Sequence, residues 1–164
     1  MASTQEHSFV VPEGWARQLG KARSGGGVSA VLGGVRRWWR MLGLSQACPY
    51  TAAVLNRAGR FRPVARGFVA GRAAERLAEE AMQFLDHVAR DRDALIAAVA
   101  ATEAALLRAR RDPAMPERRI RWPQDPDPVF AYIERGEPFH DEAGSPFTVA
   151  VGPMHPGGLT CWRS

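Results

Sequence analysis

The side chains able to do chemistry are few and scattered in this chain. Two cysteines, Cys48 and Cys161, stand far apart in sequence. Cys48 directly precedes Pro49, a pairing suited to a helix start, where a thiol's pKa falls and reactivity rises. No histidine lies nearby to act as a base, and packing as a small apolar residue is the commoner outcome for a cysteine. Both cysteines are read as structural. His140, Asp141 and Glu142 are consecutive, and His155 follows in "PMHPGG". Together they could hold a metal if folding gathered them, yet no HxxxH, HExxH or CxxC spacing sets ligands on one face. The stretch "DEAGS" equally makes a polar hairpin turn. The expectation is no metal site and no catalytic residue on this chain. Glu103 sits near the apolar stripe of its helix, one turn from Val99 and Leu107. A buried carboxylate there would hint at catalysis, but a helix-edge glutamate paired with an arginine is the simpler expectation.

The glycines build no phosphate loop. "SGGG" has no strand before it and no GK[ST] after it, and "GRFRPVARG" matches no dinucleotide fingerprint. No G-x-S-x-G elbow is present.

The elements that would position these side chains follow from periodicity. With 164 residues, 46% of them hydrophobic, the chain can bury one core without disulfides. Residues 1–27, with "RSGGG" at 23–27, read as a flexible N-terminal segment, and 28–164 as a single α+β domain, helical over 35–111 and β-rich over 118–164. A short helix over 35–43 is followed by one opening at "ACPY" and closing at Gly59. Residues 60–71, "RFRPVARGFVAG", read as a connector.

A helix over 73–90 carries Leu77, Ala81, Phe84, Leu85 and Val88 on one stripe, with Glu75, Glu79, Glu80 and Asp86 off it. A second, over about 93–110, is capped by Asp91 or Asp93 and ends in Arg108, Arg110 and Arg111, making a helical hairpin. "RIRW", "VFAYIERG", "PFTVAVG" and "LTCW" read as short antiparallel strands. The predicted fold is α+β: N-terminal helices including a hairpin, then a small C-terminal antiparallel sheet.

The formal net charge is +5, almost all of it arginine, since Lys21 is the only lysine. Such a chain favours acidic partners, whether nucleic acid, a protein face or a peptide. "RRWWR" at 36–40 could hold phosphates and stack bases. Acidic residues run through the middle of the chain, however, and no base-reading pattern appears, so nucleic acid ranks second. Trp and Arg are also the residues enriched at interface hot spots. Adjacent tryptophans on a helix diverge by about 100°, so one could fill the core and the other a partner's pocket. The expected partner- or peptide-binding residues are Arg36, Arg37, Trp38, Trp39, Arg40, Arg60, Phe61 and Arg62. An edge strand of the C-terminal sheet could also pair with an extended peptide. No apolar run approaches the roughly 20 residues of a membrane span. The start "MASTQEHSF" has no signal-peptide pattern, so a cytoplasmic location with reduced thiols is expected.

The order of "RRWWRML", "ACPYTAAVL", "RFRPVARGF" and "RWPQDPDP", then a Trp-containing β-rich tail, resembles the partner-subunit family of methanobactin-type ribosomal peptide biosynthesis over about residues 35–164. The resemblance implies a non-catalytic subunit in a heterodimer with an iron-dependent TIM-barrel enzyme. That enzyme oxidatively modifies a cysteine of a ribosomally made precursor peptide, and the partner helps capture the peptide's leader. It implies no cofactor on this chain, the iron being held by the barrel enzyme. A small metalloenzyme using His140, Asp141 and His155 is the third reading.

Overall fold

The computed structural model describes residues 27–140, 145–152 and 159–163. The expectations for residues 1–26 and for Asp141, Glu142 and His155 lie outside them. The chain divides between Trp39 and Arg40 into two units.

Helix α1, Gly27–Ala47, crosses that division and is longer than the expected 35–43. No proline precedes Pro49 in this stretch, and each added residue gains a backbone hydrogen bond, so helix extends through Gly33 and Gly34 despite their poor propensity. Pro49 stops it. Lacking an N–H, that residue instead opens α2, Pro49–Arg57, with Cys48 at the N-cap. Gly59, at φ +67°, takes the left-handed turn that ends α2, as expected.

The supposed connector at 60–71 is a helix, α3, Phe61–Val69. Phe61, Ala65, Phe68 and Val69 recur on one buried face. Pro63 falls in the first turn, where its missing donor has no partner to lose.

The hairpin is α4, Leu77–Val88, and α5, Ala94–Arg111. Asp93 caps α5 by accepting from the Leu95 and Ile96 amides. Two details differ from expectation. Residues 73–76 and 89–90 lie outside α4, and Glu80 is buried, as Phe84 is, while Leu77 is exposed.

Strand β1, Arg118–Trp122, follows. "VFAYIERG" then forms helix α6, Pro126–Arg135, where a strand was predicted. Its end signals override β propensity: Asp125 caps the Asp127 amide, Pro126 begins the helix, and Gly136 closes it at φ +72°. β2, Phe147–Val151, and β3, Leu159–Arg163, complete an antiparallel sheet in the order β1-β2-β3. Ile120 pairs with Val149 and Trp122 with Phe147, aligning the apolar residues of the two strands. The fold is α+β, as predicted.

Helix α5 is the centre of the second unit, touching α2, α4, β1 and β2. Its small residues Ala98, Ala100, Ala104 and Ala105 are buried and let these neighbours approach closely. Trp122 and Phe84 are both fully buried. Each removes about 150–250 Å² from water, worth about 4–6 kcal/mol before ordering entropy is subtracted. The Trp122 indole N–H donates to Thr102 Oγ1 at 3.0 Å, satisfying the one polar atom of that ring.

Candidate functional site

Four of the eight expected binding residues belong to the first unit. Trp38 and Trp39 are 37% and 58% exposed, and their rings meet edge to face with centroids 5.0 Å apart. Neither fills a core, a place that one of them could have taken, and both are exposed. Arg36 and Arg37 flank them and are exposed; the Arg37 Nε–H donates to the Gly33 carbonyl at 3.2 Å, which holds its stem along the helix.

The other four lie in the second unit, and three of them have internal roles. The Arg40 guanidinium pairs with Glu80, which is 5% exposed, and also donates to the carbonyls of Val69, Arg72 and Ala73 at 3.3, 3.0 and 3.2 Å. One arginine thus satisfies the turn leaving α3 and neutralises a carboxylate on the buried side of α4. Phe61 is buried, its ring 6.4 Å from that of Phe84 at 81°. Arg60 forms a two-pronged pair with Asp91 at 3.1 and 2.7 Å. Burial would raise the Asp91 pKa. Hydrogen bonds from Arg60 and from the Asp93 and Arg92 amides, with the Arg60 charge, outweigh burial and hold it below the usual range. Arg62 is exposed.

Cys48 has the geometry of a helix-start thiol without its reactivity. It is fully buried, and its Sγ points to the Ala81 carbonyl at 3.7 Å. Burial first, and the negative charge of Glu103 second, push its pKa up to about 12. A thiol held so is almost wholly protonated at neutral pH, which fits a packing role.

Glu103 is not the helix-edge partner of an arginine. It is 4% exposed, and its carboxylate accepts from the Tyr50 amide at 3.0 Å and the Thr51 amide at 2.8 Å. A side chain from the middle of α5 thereby caps the first turn of α2, where the Tyr50 and Thr51 amides lack helical partners. Burial raises its pKa, and hydrogen bonds from Thr51 and Tyr50 oppose that rise. Cys48, at the N-cap of that helix, offers no side-chain cap, and Glu103 takes over the task from a distance of more than fifty residues.

His140 is exposed. Among the described residues no group of three or more His, Cys, Asp or Glu could hold a metal ion. Five of the 21 arginines form ion pairs among the described residues: Arg108 with Asp86, Arg119 with Glu117 and Arg135 with Glu137, besides the pairs of Arg40 and Arg60. The Arg57 guanidinium stacks 3.9 Å above the Phe139 ring and donates to its carbonyl. β1 is an edge of the sheet, with Arg118, Arg119 and Arg121 exposed along it. Among the described residues, no helix is long and apolar enough to cross a membrane.

Sequence periodicity missed Glu80, Asp91 and Glu103 as the carboxylates that organise these arginines and amides. One signal was available for Glu80, which stands four residues before Phe84 and so shares its face of α4. Comparison with family models, curated proteins and solved structures returns no match.

Proposed function

We propose that the chain is a non-catalytic partner subunit that binds an iron-dependent TIM-barrel enzyme and helps capture the leader of a cysteine-containing ribosomal precursor peptide. The observation that carries this reading is the exposed Trp38–Trp39 pair beside Arg36 and Arg37 on α1. Two adjacent indoles held out to solvent give apolar area at low entropy cost, and guanidinium forks beside them suit partner carboxylates. The iron and its ligands belong to the enzyme. The β1 edge supports the peptide half of the reading, because an extended leader could add main-chain hydrogen bonds to it while its acidic residues meet Arg118 and Arg121. Acidic residues interspersed among the arginines favour this reading over a nucleic-acid binder, which gathers its cations on one face. A cytoplasmic setting fits it.

The deciding experiment is co-expression of this chain with an iron enzyme and a short cysteine-containing peptide encoded in the same gene cluster. The expected result is a heterodimer with iron in the enzyme chain, and oxidative modification of the peptide only when both subunits are present. Trp38→Ala and Trp39→Ala, made separately, should retain the wild-type melting temperature, and at least one should weaken the complex about thirtyfold, the value of a 2 kcal/mol hot spot. The reading fails if the enzyme modifies the peptide equally well without this chain, or if both variants bind as wild type does.

A further inference from the structure

The second unit carries an open groove of about 540 Å³ beside α3 and the end of α4. Its apolar side comes from Pro63, Val64 and Gly67 of α3 and from Val88 of α4. Its rim holds Arg60, Arg90 and Arg92 against a single carboxylate, Asp91. Asp91 is already engaged by both prongs of Arg60. The positive excess of the rim therefore resides on Arg90 and Arg92, both exposed.

Gly67 is the informative residue. It sits inside α3, where only proline is a poorer helix former. A Cβ built on it would meet nothing within 4 Å, and the position is helical, so neither packing nor backbone conformation calls for glycine. What the bare position does is keep the groove open.

We propose that this groove docks an acidic peptide segment of a partner protein. An aliphatic or aromatic side chain of the segment rests on Pro63, Val64 and Gly67, and flanking carboxylates meet Arg90 and Arg92. Charge complementarity selects the acidic chemistry. The apolar side selects a peptide over a nucleic acid, since Phe68, the aromatic ring of the groove, is only 3% exposed and offers no face on which a base could stack. This site lies wholly within the second unit and stands whether or not the Trp38–Trp39 surface serves the function proposed above.

The test is an NMR titration of the ¹⁵N-labelled full chain with the peptide Glu-Asp-Glu-Leu-Phe-Asp-Glu-Asp, beside its Gln/Asn counterpart. Amide shifts should cluster at Val64, Gly67, His87 and Arg90, with the acidic peptide alone binding. Arg90→Glu combined with Arg92→Glu should weaken binding about fivefold or more. Gly67→Leu should do the same with an unchanged or raised melting temperature, while Arg76→Glu combined with Arg110→Glu, at the opposite end of the hairpin, should leave binding within about twofold. The proposal is overturned if the neutral peptide binds equally, if shifts cluster on β1 instead, or if both charge-reversed pairs weaken binding alike. It is likewise overturned by no binding up to about 1 mM, or by a single-stranded oligonucleotide of equal charge that binds the groove more tightly than the peptide.

Discussion

Replacing Glu103 tests whether one buried carboxylate holds α2 onto α5. Glu103→Ala removes the acceptor for two amides, those of Tyr50 and Thr51, at the foot of a helix that water reaches poorly. Each orphaned donor costs about 1–3 kcal/mol, and releasing the protein from burying a charge returns part of that, leaving a net loss of about 2–4 kcal/mol. Glu103→Gln keeps one acceptor but turns an NH₂ toward the second amide, so about 1–3 kcal/mol should be lost. Urea unfolding measures both, with a melting-temperature fall of about 3–6 °C per kcal/mol as a second readout. The pH dependence supplies an independent sign. The folded pKa of Glu103 lies above its ordinary 4.5. Its titration therefore stabilises the fold most below that ordinary value, and the contribution disappears as pH rises through the folded pKa. The advantage of wild type over Glu103→Gln should accordingly be larger near pH 4.5 than at neutrality. Losses below about 0.5 kcal/mol for both variants, within ordinary surface noise, would refute the capping argument, and an advantage that grows with pH would refute the dominance of burial over the Tyr50 and Thr51 hydrogen bonds.

Arg40→Met strands Glu80 on the buried side of α4 and frees three carbonyls, so stability measured by urea unfolding should fall by about 3–5 kcal/mol. In a Cys161→Ser background, Cys48 should react with a thiol reagent at neutral pH only at the rate of opening of the fold, because burial pushes its pKa to about 12; rapid stoichiometric labelling of the native protein would contradict this. Trp122→Phe fills most of the same space but removes the indole donor to the Thr102 hydroxyl, which keeps its own bond to the Ala98 carbonyl, so a loss of about 1–2 kcal/mol is expected by calorimetry.

Local rules made the hairpin legible. Asp93 before an apolar-periodic run, the arginines ending it, and Cys48–Pro49 followed at a distance by Gly59 all carry their meaning within a few residues. The two helices that escaped, α3 and α6, each contain prolines and aromatic or β-branched residues that imitate connectors and strands. Their true signals were positional: Pro63 within a first turn, and Asp125, Pro126 and Gly136 bracketing ten residues. The candidate surface divides in the same way. That Trp38 and Trp39 leave the helix about 100° apart is visible from adjacency alone, whereas the turn of their rings back to an edge-to-face contact at 5.0 Å is not. That Arg40 and Arg60 pair with Glu80 and Asp91 depends on contacts thirty or more residues apart, which no local pattern encodes.

The central placement of α5 also sets how the protein opens. Because α2, α4, β1 and β2 all rest on this helix, no neighbour can be removed without exposing part of its alanine face, whereas α6 and β3 are not among the elements packed extensively against it. Amide hydrogen exchange should therefore be graded: the amides of residues 98–106 exchange only when the second unit unfolds as a whole, while those of β3 and α6 exchange through smaller openings that leave α5 in place.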